Sequence, residues 1–229
     1  MRKIPLQQLI LVYWLVVLMD LVAILFGFNW LHFIAKPLLM PWLMLLLLGS
    51  GVKASGRQLV LAGLVFSMLG DVFLLIDNRN PLFFIFGLVS FLITHICYLG
   101  YFLSTRSSTI IPLKNRLIYC MSVACYGVAL VWILYPFLGT LKIPVIIYAV
   151  IICTMLLSSI YLYPMIKPPF NRFFVVGALL FVISDSLLAL NKFYHPFALA
   201  GVCIMLTYCA AQYFIVMGFI GGATREMNG

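Results

Sequence analysis

Residues 66–75 read FSMLGDVFLL, an apolar run that carries one charged side chain, Asp71. Residues 180–189, LFVISDSLLA, repeat this pattern with Asp185. Long apolar runs without strand-like alternation predict membrane-crossing helices, because backbone in lipid must satisfy its own hydrogen bonds. A charge near the bilayer centre costs about 2.5–3.5 kcal/mol even on insertion-based scales. Both acids are therefore predicted to lie inside a helix bundle, where they are paired, protonated or used in chemistry.

The composition of the whole chain supports a membrane protein. Of its 229 residues, 66% are hydrophobic and 8% are charged, whereas a soluble domain carries about 25% charged residues. Apolar segments of about 20 residues, the length that crosses a bilayer, cover nearly the whole chain. We therefore predict a polytopic membrane protein and exclude a soluble domain of any size.

Eight transmembrane helices fit the pattern, in a single all-α domain that covers residues 1–229. Polar, glycine-rich or proline-rich breaks, such as 49–51 and 167–169, separate them. The predicted spans are 7–27, 31–49, 58–76, 82–104, 116–135, 143–163, 173–191 and 196–220.

The net charge of +9 is spread over the breaks between the spans. It forms no basic stripe with interleaved aromatic residues, so no nucleic-acid partner is predicted. The side that holds both termini carries Arg2, Lys3, Lys53, Arg57, Arg106, Lys114, Arg116, Lys167, Arg172 and Arg225, and the opposite side carries Arg79, Lys142 and Lys192. Because cytosolic loops are the ones enriched in Lys and Arg, both termini are predicted to be cytosolic.

Spans three and seven resemble one another. Gly63 precedes Asp71 at the same distance as Gly177 precedes Asp185. In the spans that follow, Thr94-His95 corresponds to Thr207-Tyr208. This pattern predicts a parallel four-plus-four repeat, an arrangement that builds sites at the repeat interface. A chance alignment of apolar helices is the alternative.

The buried polar residues are the candidate site. The depth of each residue in its span places Asp20, Asp71, Asp185 and Lys36 in one layer of the outer half, with His95 nearer the midplane. Structural alternatives stay open. The two acids Asp71 and Asp185 can simply join helices, and His95 with Tyr98 can form an interhelical hydrogen bond. Asp20 can pair with Lys36, and His32 and His195 fit an interfacial position. Small residues at 63 and 177 are expected to let helices approach closely.

Two carboxyl groups in a low-dielectric pocket repel each other, so one is expected to be protonated and the other ionised. That division suits acid/base hydrolysis and needs no metal or other cofactor. The sequence has no HExxH motif, and its six cysteines form no CxxC pair, so a zinc site is not predicted. A serine nucleophile is not supported either, since no G-x-S-x-G motif is present.

Four motifs resemble the YhhN family of membrane proteins, whose vertebrate members are lysoplasmalogenases. They are Lys36-Pro37, Ser67-x-x-Gly70-Asp71, Phe91-x-x-x-His95-x-x-Tyr98, and Gly177-Ala178-x-x-Phe181-x-x-Ser184-Asp185-x-x-x-Ala189 with Asn191. The resemblance covers essentially the whole chain, and eight helices match it.

The resemblance implies hydrolysis of the vinyl ether bond of a lysoplasmalogen to a fatty aldehyde and a glycerophospho-choline or -ethanolamine. It implies a lysophospholipid substrate taken from the bilayer, and we expect a bacterial cytoplasmic membrane. Cast in this reaction, Asp71 and Asp185 are acid and base in an order left open, and His95 positions water or relays protons. Substrate-binding or orienting roles are expected for Lys36, Ser67, Tyr98, Ser184, Asn191, Asp20, Tyr208 and Gln212. The lipid phosphate is expected at Lys36, with Lys192 or Arg79 near the mouth.

Two alternatives belong to other classes. A proton- or cation-coupled carrier also places acids and histidines in its membrane helices, but helices broken at mid-depth would mark it. A non-catalytic lipid-binding protein would keep the pocket and tolerate Asp→Asn substitutions.

Overall fold

A computed structural model describes residues 5–77, 79–105 and 113–226 of the chain. This part is helical without any strand, which confirms the all-α, eight-helix class, and each of the eight helices is long and apolar enough to cross a membrane. The helices are α1 (Leu6–Phe26), α2 (Asn29–Gly49), α3 (Arg57–Leu75), α4 (Pro81–Ser104), α5 (Leu113–Leu134), α6 (Lys142–Leu162), α7 (Phe170–Ala189) and α8 (Ala200–Glu226).

Local backbone chemistry sets several helix ends. α1 stops at Gly27, whose φ of 71° lets its N–H bond back to the carbonyls of the last turn. α4 begins after Asn80, whose side chain accepts the N–H of Leu82, with Pro81 at the first helical position. α8 begins at Ala200, later than the predicted span, and the residue before it, Leu199, has a φ of 60°, outside the helical region. At its C-terminal end, α7 widens into a π-helical turn, Leu190–Tyr194.

The core is built from two close helix pairs, α3 with α4 and α7 with α8. Gly63 packs directly against the ring of Tyr98, and a Cβ at Gly177 would lie 3.0 Å from the carbonyl oxygen of Ala211. The expectation that small residues at 63 and 177 permit close approach therefore agrees with the packing. α5 lies at the periphery, with most of its side chains exposed.

α3 and α7 run without a break past these glycines. The mid-depth interruption that would mark a carrier is therefore absent from both helices.

The orientation and the repeat remain predictions. Arg2, Lys3 and Arg106, which support the orientation, lie outside the described residues, as does the side chain of Arg225. The order of the helices is compatible with a pairing of α1–α4 with α5–α8, as the contacts of the site illustrate below.

Candidate active site

Asp185 meets two polar side chains deep in the bundle. The hydroxyl of Tyr148, on α6, donates to Asp185 Oδ2 over 2.5 Å. His95 Nε2, on α4, lies 2.9 Å from the same oxygen and 2.9 Å from the Tyr148 hydroxyl. His95 is fully buried, whereas 14% of the Asp185 side chain is exposed. These three groups, called the Asp185 set below, form one compact hydrogen-bonded unit.

The helix directions explain why His95 reaches Asp185. α4 and α7 are antiparallel, and helical side chains lean toward the N-terminus of their own helix. His95 and Asp185 therefore lean toward each other. The expectation that His95 lies deeper than the acids is wrong for its ring, because depth counted along the helix ignores this lean.

Tyr148 is the member of the Asp185 set that the sequence motifs miss. The four residues on either side of it are all apolar. Its one signal is depth: Tyr148 is in the second turn of α6 and Asp185 in the last turns of α7, so the two share a level. Many other aromatic residues also share the level of Asp185, so depth alone does not single out Tyr148. The contact between Tyr148 and Asp185 depends on how α6 and α7 pack.

A cavity of about 50 Å³ lies beside the Asp185 set, between α3, α4, α6 and α7. Space of this size accommodates a few atoms of a ligand or a few waters. Asp185 and Tyr148 contribute the polar groups of its wall. The remaining lining residues are Leu74, Phe84, Leu88, Phe91, Val145, Leu188, Ala189 and Phe193. The wall has the composition of a ligand site, a few convergent polar groups among apolar side chains, but the space is far smaller than the roughly 300–1,000 Å³ of a pocket that holds a whole ligand.

Asp71 has partners of its own. It accepts a hydrogen bond of 2.7 Å from the Tyr208 hydroxyl, and Lys36 Nζ lies 3.9 Å from its other oxygen. Among the described contacts, no hydrogen bond or ion pair joins Asp71 to Asp185. The ring of Phe181 lies between the two groups, with centroids 4.6 Å from His95 and 5.6 Å from Tyr208. The two acids are thus neighbouring centres rather than a directly bonded dyad.

Asp20 pairs with His32 and not with Lys36. His32 Nδ1 lies 2.8 Å from Asp20 Oδ1, and 24% of the His32 side chain is exposed. His32 and Lys36 are one turn apart on α2, which places His32 beside Asp20 and Lys36 beside Asp71. The alternative of an Asp20–Lys36 pair is therefore wrong. The interfacial interpretation of His32 leaves out its bond to a buried acid.

Ser67, Tyr98 and Gln212 form a separate buried unit. Tyr98 donates to Gln212 Oε1 over 2.5 Å, and Gln212 Nε2 donates to Ser67 Oγ over 2.7 Å. Thr94 joins them, 3.0 Å from Ser67. The unit links α3, α4 and α8, so its geometry holds helices together and lies outside the cavity wall. Tyr98 therefore acts with Gln212, and not with His95.

Two further candidates serve the α7–α8 connection. Ser184 donates to the carbonyl of Ile204 over 3.0 Å. Asn191 accepts the N–H of Phe197 over 3.3 Å. Both contacts fix the end of α7, and neither residue lines the cavity.

The partners of the two acids follow one scheme. Asp71 on α3 meets Lys36 from α2 and Tyr208 from α8, whereas Asp185 on α7 meets Tyr148 from α6 and His95 from α4. Each acid thus has one partner from the preceding helix and one from the fourth helix of the other half. A four-plus-four repeat with the two halves facing each other would produce this exchange.

Within the described residues, no three His, Cys, Asp or Glu side chains are placed to hold a metal ion.

Comparisons with known proteins give the chain its relatives. The model of the YhhN family matches residues 31–219. Lysoplasmalogenase TMEM86A of Bos taurus is 30% identical over 204 residues, which are 84% of this chain and 79% of that protein. A lysoplasmalogenase of Mycobacterium tuberculosis is 33% identical over 174 residues, 72% of this chain and 62% of that protein. No solved structure matches the chain.

Proposed function

Because this chain belongs to the YhhN family, we propose that it is a membrane hydrolase that cleaves the vinyl ether bond of lysoplasmalogens. The products are a fatty aldehyde and a glycerophospho-choline or -ethanolamine. The observation that carries the proposal is the Asp185 set, which brings a carboxyl, an imidazole and a phenol together beside an apolar cavity. The relatives that match most of this chain are named lysoplasmalogenases, and these names support the reaction class.

The first step is a proton transfer to carbon. The Asp185 set shares a proton among heteroatoms no more than 2.9 Å apart. This proton passes to the vinyl carbon remote from the ether oxygen, whose lone pair completes an oxocarbenium ion. A general acid held in the right geometry accelerates such a step by about 10²–10⁴-fold.

In the second step, the deprotonated Asp185 set accepts a proton from water as the water adds to the oxocarbenium carbon. The set has then regained its proton. The hemiacetal that results collapses to the aldehyde, and its own hydroxyl proton passes to the leaving oxygen to give the free glycerol hydroxyl. One group acts as acid and then as base, so the cycle needs no redox partner.

Asp71 is the second acid of the proposal. Tyr208, which donates to it, packs edge to face on Phe91, a residue of the cavity wall, with 5.7 Å between ring centroids. The negative charge of Asp71 lies behind this wall. It stabilises the positive charge that develops in the cavity, because electrostatic fields act strongly in a low-dielectric site.

Aldehyde release from a lysoplasmalogen by the purified protein in detergent tests the proposal. Asp185→Asn and Asp71→Asn are each expected to lower turnover by at least about 100-fold. Ser122→Ala, on the peripheral helix α5, is the matched control. Each variant must keep the melting transition of the wild type. Wild-type activity in the folded Asp185→Asn variant contradicts the mechanism, and a folded wild type that releases no aldehyde contradicts the function.

A further inference from the structure

The end of the cavity nearest the π-helical turn of α7 carries an ion pair. Lys192 Nζ lies 2.7 Å from Asp77 Oδ2, and 42% of the Lys192 side chain is exposed. The pair joins the turn after α3 to the end of α7. Lys36, the other lysine expected to meet the lipid phosphate, is buried and pairs with Asp71.

Lys192 and Asp77 border residues of the cavity wall. Lys192 Nζ lies 4.7 Å above the ring of Phe84. Phe193, next to Lys192 in the chain, packs edge to face on Phe84 with 5.6 Å between centroids. Asp77 lies three residues after Leu74, just beyond the end of α3, and Phe84, Phe193 and Leu74 all line the cavity. The ion pair therefore stands at the rim of the space that holds Asp185.

One lipid can reach from Asp185 to this rim. Lys192 lies seven residues after Asp185, in the π-helical turn that continues α7, which is roughly 10 Å along the helix axis, and its flexible side chain covers part of that distance. In a lysoplasmalogen, the glycerol backbone separates the vinyl ether from the phosphate. The amine of an ethanolamine or choline head group lies farther out still. A lipid with its vinyl ether at Asp185 thus carries its phosphate to the level of Lys192.

We propose that Lys192 and Asp77 form the head-group site and select zwitterionic lysophospholipids. Lys192 binds the phosphate through its ammonium group, and Asp77 receives the amine. The ring of Phe84, which already accepts one cation, supplies a cation–π face for the amine. This inference rests on the proposed function, and it identifies the substrate class that enters the same cavity.

The lipid head group would replace the contact between Lys192 and Asp77 with one contact to each residue. The ion pair suits this replacement because it costs little free energy to open. A pair with a half-exposed lysine contributes little to stability, since water solvates its charges when it separates. A zwitterion offers each partner an opposite charge in return. A lipid that has the phosphate but no amine leaves Asp77 unpaired beside a second anion.

Binding to the purified full chain tests the site without the reaction. Native mass spectrometry in detergent measures the affinity for 1-O-alkyl lysophosphatidylethanolamine and for 1-O-alkyl lysophosphatidylglycerol. Neither lipid has a vinyl ether, so neither can be cleaved, and the second lacks the amine. The wild type is expected to bind the ethanolamine lipid about tenfold more tightly, the scale of a charged hydrogen bond.

Three variants separate the roles. Asp77→Asn is expected to lower the affinity for the lysophosphatidylethanolamine about tenfold. The same variant is expected to bind the lysophosphatidylglycerol as tightly as the wild type or more tightly. Lys192→Gln is expected to lower the affinity for both lipids about tenfold. Lys142→Gln is the matched control, because Lys142 also lies over an aromatic ring, that of Tyr135, 4.3 Å from its centroid, but forms no ion pair among the described residues. It is expected to bind both lipids as the wild type does.

The double variant Lys192→Asp with Asp77→Lys distinguishes a head-group site from a structural ion pair. It restores the pair but not the order of phosphate and amine, so the affinity for the ethanolamine lipid should stay low. Wild-type binding in Asp77→Asn, or recovery in the double variant, overturns the proposal.

Aldehyde release by the wild type, measured in parallel, keeps the two proposals apart. Selective binding without aldehyde release refutes the hydrolase and supports the head-group site. Aldehyde release with equal binding by all variants refutes the head-group site alone.

Discussion

At Asp185, three polar atoms lie in contact within an otherwise apolar interior: its own Oδ2, the Tyr148 hydroxyl oxygen and His95 Nε2. Tyr148 and His95 both reach Asp185 Oδ2, and His95 makes its hydrogen bonds through Nε2, while its Nδ1 is buried without a hydrogen-bond partner among the described residues. In a low-dielectric surrounding, each of these bonds is stronger than in water, and the loss of one changes the others. The chemistry of the site therefore depends on single hydroxyl and imidazole groups.

Tyr148→Phe tests this dependence. The change removes one donor to Asp185 and keeps the ring, so turnover is expected to fall by about 10–100-fold at unchanged stability. Tyr126→Phe is the control, because the Tyr126 hydroxyl also bonds to α7, 2.8 Å from Ser186 Oγ, but away from the acid. Rates of aldehyde release decide. Equal losses in both variants would show that the effect comes from helix packing.

Tyr98 has a different part at the residue scale. Its hydroxyl satisfies Gln212 in a fully buried unit, so Tyr98→Phe leaves an amide oxygen without that donor. We expect the free energy of unfolding to fall by about 1 kcal/mol, seen as a lower melting temperature in detergent. Tyr119→Phe, at an exposed position of α5, should leave the melting temperature unchanged. An unchanged melting temperature in Tyr98→Phe would mean that this unit does not stabilise the bundle.

At the scale of helices, the site depends on how closely α7 approaches α8. A Cβ at Gly177 would lie 2.8 Å from Ile215 Cγ1 and 3.0 Å from the carbonyl oxygen of Ala211. The second of these is backbone, so it cannot turn away as a side chain can. Separation of the two helices would displace Tyr208 from Asp71 and Ser184 from Ile204.

Gly177→Ala is therefore expected to destabilise the protein by about 1–3 kcal/mol, the usual cost of overpacking. Gly100→Ala, in α4, is the control, since its Cβ would meet Leu59 Cδ1 at 3.7 Å, an ordinary contact. Thermal unfolding in detergent compares the two. Equal melting temperatures for Gly177→Ala and Gly100→Ala would contradict the close contact between α7 and α8.

At the scale of the whole molecule, eight membrane crossings would place the two chain ends on one side of the membrane. The distribution of Lys and Arg predicts that this side is the cytosol. Reporter fusions at either terminus, active only in the cytosol, are both expected to be active. A fusion in the loop at 77–80 is expected to be inactive. Opposite results at the two termini would contradict an even number of crossings.

The exchange of partners between the two halves also belongs to this scale. If the chain is a repeat, the Asp71 and Asp185 centres are counterparts that have diverged. One has a lysine and a tyrosine around its acid, and the other has a tyrosine and a histidine. The cavity lies at the second centre, which is why the proposed reaction starts from Asp185.

The sequence by itself determined the class of the protein and singled out Asp185 and His95, two of the three members of the Asp185 set. Lipid admits few structures and penalises buried charge, so apolar length predicted eight helices, and Asp71 and Asp185 stood out as acids within apolar spans. The motifs around Asp71, His95 and Asp185 also indicated the family. These features depend on the solvent and on spacing along one chain, and both can be read from the sequence.

Only the tertiary structure decided which groups touch. It paired Asp185 with His95 and Tyr148, gave Lys36 to Asp71, and gave His32 to Asp20. Spacing along a helix tells which side chains share a face, but not which neighbouring helix that face meets or how far each side chain leans. Those relations come from the packing of helices far apart in sequence, where a shift of one turn exchanges the partners of every buried charge.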